Sequence, residues 1–408
     1  MQTILSPLAA ALGCAMLVAG CATESLVTPQ PVRPLTKNES AIVAADNTFG
    51  LGLFRALDRD KRTANVIVSP LSISMALGMT LNGARGATAD SMRATLALEG
   101  LTQEEINAAY RSLIDLLRSV DPKVTFEIAN SIWHRPELTV LPSFTDVNRQ
   151  YFDAEVTALD FDSPDALNRI NGWVSTKTHG KIPTIIDEIP RDMVMYLINA
   201  LYFKGSWTTE FDPDSTQRAE FTMSSGAKRP IDLMLRSGKF MYHRDATLQA
   251  VDLPYGFDRY TMTVLLPNAG VDMASVVDGL DDAAWNRIVT GLDSSDGMVM
   301  LPRMKLEWEE TLNDWLERMG MSLAFSDRAD FSGIDPAGGL AISEVRHKTY
   351  IEVDEEGTEA AAVTSVGISR TSLPETFMMR MDRPFLFAIR EKSSGAIMFI
   401  AKVMDPSA

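Results

Sequence analysis

Cysteine is almost absent: the 408 residues contain 2, Cys14 and Cys21. That excludes a disulfide framework and a four-cysteine zinc site. The four histidines, His134, His179, His243 and His347, are scattered and show no ligand spacing. Positive charge is also in deficit. The 38 Lys and Arg face 54 Asp and Glu, a net charge of -16, which argues against nucleic acid, whose phosphates demand a basic face. It argues equally against a polybasic membrane patch or a polyanion site. Enzyme signatures are missing too. There is no G-x-S-x-G, H-E-x-x-H, G-x-x-x-x-G-K or G-x-G-x-x-G pattern. Ser206 follows Gly205 without the rest of a nucleophile elbow, and a scattered Ser-His-Asp triad has no local signature behind it.

What is present begins with a targeting segment. Residues 1–21 carry no charged side chain. Leu8 to Gly20 is apolar but short of the roughly 20 residues that span a bilayer, which suits a signal-peptide core. It ends in Leu17-Val18-Ala19-Gly20-Cys21, which resembles the bacterial lipoprotein signal, although no Lys or Arg precedes it. The resemblance implies a signal peptide over residues 1–20 and a lipid on Cys21. Residues 21–40, with Pro29, Pro31 and Pro34, then read as a flexible tether, and the folded domain is expected over 41–408. Cleavage removes Cys14 and lipidation consumes Cys21, so thiol chemistry is excluded. Ala22 in place of Asp implies the outer membrane of a bacterial envelope, facing either the periplasm or the exterior.

From residue 41 the texture is uniform, with no repeat and no second linker. Thr102 and Glu105 form a capping box ahead of Ile106, Ala109, Tyr110, Leu113, Leu117 and Val120 at helical spacing. Residues 310–319 place Leu312, Trp315, Leu316 and Met319 on one helical face, closed by Gly320. Residues 165–178 do the same with Leu167, Ile170, Trp173 and Val174. Strands are expected at Met195–Phe203, Thr261–Leu266, Phe385–Ile389 and Ala396–Val403. The mixture predicts an α+β chain with large antiparallel or mixed sheets.

The most informative stretch runs from Ile351 to Arg383. Ile351 and Val353 alternate with Glu352 and Asp354 as in a strand. From Thr358 onward one face carries Thr358, Ala360, Ala362, Thr364, Val366 and Ile368, small at first and apolar later. The other carries Glu359, Ala361, Val363, Ser365, Gly367 and Ser369. Both are slim enough to slip between two existing strands. Ser369 to Glu375 is polar and turn-prone. The residues alone allow two readings: an ordinary strand and loop, or a segment that is loop in one state and strand in another.

Glu355-Glu356-Gly357-Thr358-Glu359-Ala360-Ala361-Ala362 closely resembles the hinge of inhibitory serpins. Further matches lie in the family's order: Asn65 to Ser74, Asn199 to Trp207, Leu301 to Met304, Ala329 to Ile334, Ile342 to Lys348, and Arg383 to Phe387. The resemblance covers nearly the whole domain. It implies three β-sheets surrounded by about nine helices in a single domain, no cofactor, no metal and no catalytic residue, and a monomer with a reactive loop at about 355–376. A serine peptidase cleaves that loop and forms an acyl-enzyme. The cut loop then inserts into the main sheet and distorts the peptidase, a strain-driven switch. About 15 inserted residues span roughly 50 Å, and at about 1 kcal/mol per ladder bond plus about 1.5–3 kcal/mol each for Val366 and Ile368 the gain is on the order of tens of kcal/mol.

The same resemblance places Ser69, Ser72, Asn199 and His347 beneath the middle of that sheet, where they gate its opening. It places Trp207, Arg303 and Glu355 at the top, where the loop first inserts, with Glu355 and Arg303 paired. The usual loop length, counted from Glu355, puts Thr371 before the scissile bond, Thr371–Ser372. A loop one residue shorter gives Arg370–Thr371. Arg370 would suit a trypsin-like peptidase through a charge-assisted pair; Thr371 would suit an elastase-like or subtilisin-like one. The alternative function is a non-inhibitory serpin acting as a binding module at the envelope.

Overall fold

The structure is a computed structural model that describes residues 31–358 and 376–407. Among the described residues there are nine α-helices and fifteen strands. The N-terminal half comprises α1 (Lys37–Asp60), β1 (Val66–Val68), α2 (Pro70–Leu81), α3 (Gly86–Thr95), α4 (Gln103–Ser119), β2 (Val124–His134), α5 (Pro142–Phe152), β3 (Glu155–Ala158), α6 (Ala166–Lys177) and β4 (Met195–Ser206). There follow β5 (Gln217–Thr222), β6 (Lys228–Arg244), β7 (Leu248–Tyr255), β8 (Tyr260–Pro267), α7 (Met273–Asp278), α8 (Asp282–Thr290), β9 (Asp293–Pro302) and β10 (Met304–Thr311). The chain closes with α9 (Asn313–Leu316), β11 (Arg346–Val353), β12 (Gly357–Thr358), β13 (Phe377–Arg380), β14 (Phe385–Glu391) and β15 (Ile397–Val403).

The ladders join into two sheets among the described residues, where three were expected. One has nine strands in the order β1-β15-β14-β8-β7-β6-β9-β13, with β5 also on β6; the other has six, β10-β11-β12-β4-β2-β3. The reason is β6. Its first half pairs β5 at Lys228–Leu233, its last residues pair β7 at Tyr242–Arg244, and β9 runs along its other edge. One long strand thus ties together what would otherwise be separate sheets.

Local signals explain most boundaries. Thr102 and Glu105 form the expected reciprocal cap of α4, and Ile106, Tyr110, Leu113 and Leu117 are buried along it. Ser69 caps α2, with Pro70 in the first turn, where its missing N–H costs nothing. The expected helix at 310–319 is shorter. Glu310 and Thr311 remain in β10, opposite His347 and Arg346, and α9 starts only at Asn313. Gly320, at φ +118°, breaks the turn that follows, as its place after Met319 suggested.

The expected start of the domain at residue 41 is corrected. A second capping box, Thr36 with Glu39, starts α1 at Lys37. Arg33 grips the buried Glu39 carboxylate at 2.8 and 2.5 Å, and its hydrogen bonds, against the cost of burial, hold that group down to about 2. Val32 and Leu35 pack against the main core. At its C-terminal end, therefore, the expected tether is already part of the fold.

The six-stranded sheet has a core on each face. Phe203, Leu306 and Ile351 face the main core, with α2 beneath; Tyr196, Ile198 and Ala200 join Ile170 and Val174 of α6 on the other side.

Candidate functional site

The site follows from how β11 ends. After Val353 the chain turns at Asp354, whose carboxylate accepts the N–H groups of Glu356 and Gly357 at 3.0 and 3.1 Å. Gly357 and Thr358 then run back as β12, wedged between two strands. Thr358 pairs with Val353 of β11 on one side and with Gly205 of β4 on the other, antiparallel to both. Gly357 opposes Ser206, and a Cβ on it would lie 2.1 Å from the Gly205 carbonyl oxygen, so only glycine fits there.

Below Thr358, β4 pairs β2 along its whole length and β11 pairs β10. Among the described residues, β4 and β11 share no ladder with each other. The sheet thus has a seam between two parallel strands, opened at its top by a two-residue stub. Along it Met195, Leu197 and Leu201 of β4 are only half-buried against the main core. A cavity of about 120 Å³ lies at the lower end, lined by Ser72, Leu197, Asn199, Phe331, Ile342 and His347 among others.

At the middle of the seam, each bordering strand is fastened to α2. The His347 Nε2 of β11 accepts the Ser69 backbone N–H at 3.0 Å. The Ser72 hydroxyl donates to Asn199 Oδ1 of β4 at 2.5 Å, and Asn199 Nδ2 donates in turn to Asn130 Oδ1 of β2 at 2.7 Å. Burial pushes His347 down to about 3, so its imidazole is neutral and can accept. The four residues expected beneath the sheet are therefore together. They form two separate fastenings, each to the first turn of α2, with no hydrogen bond between His347 and Asn199 among the described residues. Asn130 was not anticipated; a polar residue in the apolar run of β2 was the available signal.

The top is held by the three residues expected there. Arg303 Nε lies 2.8 and 2.7 Å from the two Glu355 oxygens, and Nη2 lies 2.7 Å from Oε1. Burial alone would push the Glu355 carboxyl up; hydrogen bonds from Arg303 and from the Thr216 hydroxyl outweigh it and hold the group below its ordinary range. Trp207 donates its indole N–H to the Asp354 carbonyl at 2.9 Å and its backbone N–H to the Glu356 carbonyl at 2.8 Å. Its ring stacks on Tyr255 at 4.4 Å and 13°. The Tyr255 hydroxyl meets the Thr358 hydroxyl at 2.7 Å. Thr216 and Tyr255 were missed, because they lie 139 and 103 residues from their partners and carry no local motif. Glu359, Ala360, Ala361, Ala362, Arg370, Thr371, Ser372 and Cys21 lie outside the described residues.

The family model described as serpin (serine protease inhibitor) matches residues 44–406. The chain belongs to the serpin family. Among its relatives, intracellular coagulation inhibitor 2 of Tachypleus tridentatus is 34% identical over 380 residues, covering 90% of this chain and 92% of that protein. The human leukocyte elastase inhibitor is 34% identical over 384 residues, covering 89% and 99%. The crystal structure of tengpin, a thermophilic serpin in the native state, superposes with a TM-score of 0.83 at 31% identity, over 93% and 97% of the two chains. Thyroxine-binding globulin with thyroxine superposes with a TM-score of 0.82 at 26% identity, over 90% and 99%. The seam and its stub are thus features of a serpin sheet, and relatives named as inhibitors and one named for thyroxine binding share its frame.

Proposed function

We propose that this serpin inhibits serine-type endopeptidases as a suicide substrate, by inserting its cleaved loop into the seam between β4 and β11. One observation carries the reading: Thr358 already pairs with both Val353 and Gly205. The first two residues of an inserted strand are seated, antiparallel to both neighbours. Counting on from Thr358 and Gly205 sets Ala360 against Phe203, Ala362 against Leu201, Thr364 against Asn199, Val366 against Leu197 and Ile368 against Met195. This face meets the main core. Its two large apolar residues fall where β4 leaves Leu197 and Met195 half-buried, at about 1.5–3 kcal/mol for each side chain covered. The small residues come first, where insertion begins.

The bait is Thr371–Ser372 or Arg370–Thr371, with an elastase-like, subtilisin-like or trypsin-like target accordingly. Incubation with trypsin, elastase and subtilisin tests the reading. The expected result is a covalent complex that survives SDS, with release of a C-terminal peptide beginning at Ser372 or Thr371. Ala360→Arg would have to bury an unpaired charge against Phe203 on insertion and should turn the inhibitor into a plain substrate. Clean cleavage of the natural chain without complex would favour the second reading, a non-inhibitory binding module, which the shared frame with thyroxine-binding globulin keeps in view. A lipid on Cys21 would place the domain at a bacterial envelope, in the outer membrane; Cys21→Ser should then move it from the membrane fraction to the soluble one.

A further inference from the structure

Arg236, on β6, sits in an unusual place for a cation. Its guanidinium carbon lies 5.2 Å from the Phe211 ring centroid and 4.7 Å from that of Phe240. It donates to the Thr209 carbonyl. Among the described residues no carboxylate pairs with it. Burial against the rings pushes it down to about 10, so it is still charged at neutral pH. Among the described residues two aromatic faces and one carbonyl surround this half-buried side chain, an arrangement that suits the planar, weakly hydrated guanidinium and not an ammonium.

The two rings belong to opposite ends of the reactive loop. On one side, the Phe211 backbone N–H donates to the Glu355 carbonyl at 2.9 Å, and its ring packs edge-on against Trp207 at 6.0 Å. Trp207 in turn holds Asp354 and Glu356. On the other side, Phe240 packs edge-on against Phe377 at 5.8 Å, and Phe377 stacks on Tyr242 at 3.8 Å and 6°. Phe377 opens β13, the strand that follows the loop. Its ring reaches β6 only because it crosses β9 at Gly297, where a Cβ would lie 2.2 Å from it.

We propose that Arg236 is a positioning residue that clamps the two flanks of the loop together, holding the hinge at Glu355–Thr358 and the return strand β13 in fixed relation through one guanidinium. Among the described residues neither flank pairs with the other directly; β12 lies in the six-stranded sheet and β13 at the edge of the nine-stranded one. The clamp sets the tension across the loop's ends. Its consequence for trapping rests on the inhibitor reading above, whereas the clamp itself does not.

Hydrogen exchange on the full chain, without any peptidase, tests it. Arg236→Leu should speed exchange about tenfold in peptides covering both 355–358 and 377–380, the size of two partly desolvated cation–π contacts. Peptides from β14 and β15 should not change. Arg236→Lys, which keeps the charge and loses the plane, should fall between. Phe377→Leu probes the clamp from the far end and should speed exchange at 355–358, which Phe377 does not touch. Faster exchange at one flank only, or an unchanged hinge in Phe377→Leu, overturns the proposal, and the second variant decides the matter should Arg236→Leu not fold. With peptidase added, Arg236→Leu should shift turnover from trapped to merely cleaved serpin. A natural chain that traps nothing but shows the coupled exchange would sink the inhibitor reading and leave the clamp standing.

Discussion

His347 on β11 and Ser69 at the head of α2, 278 residues apart in sequence, are joined by a 3.0 Å hydrogen bond in which the backbone N–H donates to imidazole Nε2. Protonation of Nε2 would set two donors against each other. Burial moves the imidazole from its ordinary 6.5 down to about 3. Between those values the unfolded chain binds a proton that the folded one refuses. The contribution is therefore complete above pH 6.5 and is lost as pH falls toward 3, at about 1.4 kcal/mol per pH unit. His347→Gln keeps an acceptor and removes the titration. Its Tm should fall less steeply than the natural chain's from pH 6.5 to 4; equal slopes would show that His347 does not titrate this way.

Asp46 on α1 acts in the opposite sense. Tyr110 of α4 donates to its Oδ1 at 2.8 Å, and Oδ2 is buried with no hydrogen-bond partner among the described residues. Burial pushes the carboxyl from 3.8 up to about 7, with the bond from Tyr110 only moderating the rise. Here the folded state holds a proton that the unfolded chain has released. The Asp46 contribution is greatest below pH 3.8 and drains as pH rises to about 7, by a few kcal/mol in order of magnitude. Asp46→Asn should raise Tm above that of the natural chain at pH 8 and not at pH 4. Because the two titrations oppose each other over one window, each is read from the difference between its variant and the natural chain and not from the natural chain's own curve.

Arg303 is the partner that keeps Glu355 charged beneath the turn into β12. Arg303→Met leaves the carboxylate with Thr216 alone, in a site where burial is the largest influence and acts upward. The Arg303 side chain is 45% exposed while Glu355 is buried, so solvent screens the pair and its loss costs about 1 kcal/mol. The Glu355 contribution is present above its ordinary 4.5 and fades below it. Denaturant midpoints should therefore differ between variant and natural chain more at pH 7 than at pH 4. A difference of the same size at both would mean that the ion pair contributes nothing there.

Much of this site was legible in the chain, for reasons that particular residues make clear. The alternation Ile351, Val353 against Glu352, Asp354 reads directly as β11 because strand side chains alternate by two. Pairing of Glu355 with Arg303, and of Ser69 and Ser72 with the sheet, followed from likeness to a family and not from spacing. What stayed hidden is what three-dimensional neighbours alone supply. Tyr255 meets Thr358 across 103 residues, and Arg236 has no motif at all. The cap of α1 was a different failure. Thr36 and Glu39 carry a readable capping signature, but the prolines at 29, 31 and 34 pull a reader toward a tether. Strand ends misled similarly: Glu310 and Thr311 fit a helical face, yet pairing with β11 holds them in β10.

Gly357 gives the sharpest steric prediction. Its Cα passes so close to β4 that a Cβ would stand 2.1 Å from the Gly205 oxygen and 2.7 Å from the Ser206 Cα. Backbone, unlike a flexible side-chain tip, cannot yield by such a distance. Gly357→Ala should therefore unseat β12 and leave the rest of the sheet intact. Thr358 would lose its pairing with Gly205 and its contact with the Tyr255 hydroxyl. The buried Tyr255, whose ring lies against Trp207, would be left with an unpaired hydroxyl, a cost of about 1–3 kcal/mol. Trp207 reports the change, since its indole N–H is bonded to Asp354 in the same turn. The expected outcome is red-shifted Trp207 emission, read against Trp207→Phe to isolate that indole among the chain's 6 tryptophans, with faster hydrogen exchange at 355–358. Unchanged emission together with unchanged exchange would mean that the alanine is accommodated and that the close approach of β12 to β4 is not what fixes the hinge.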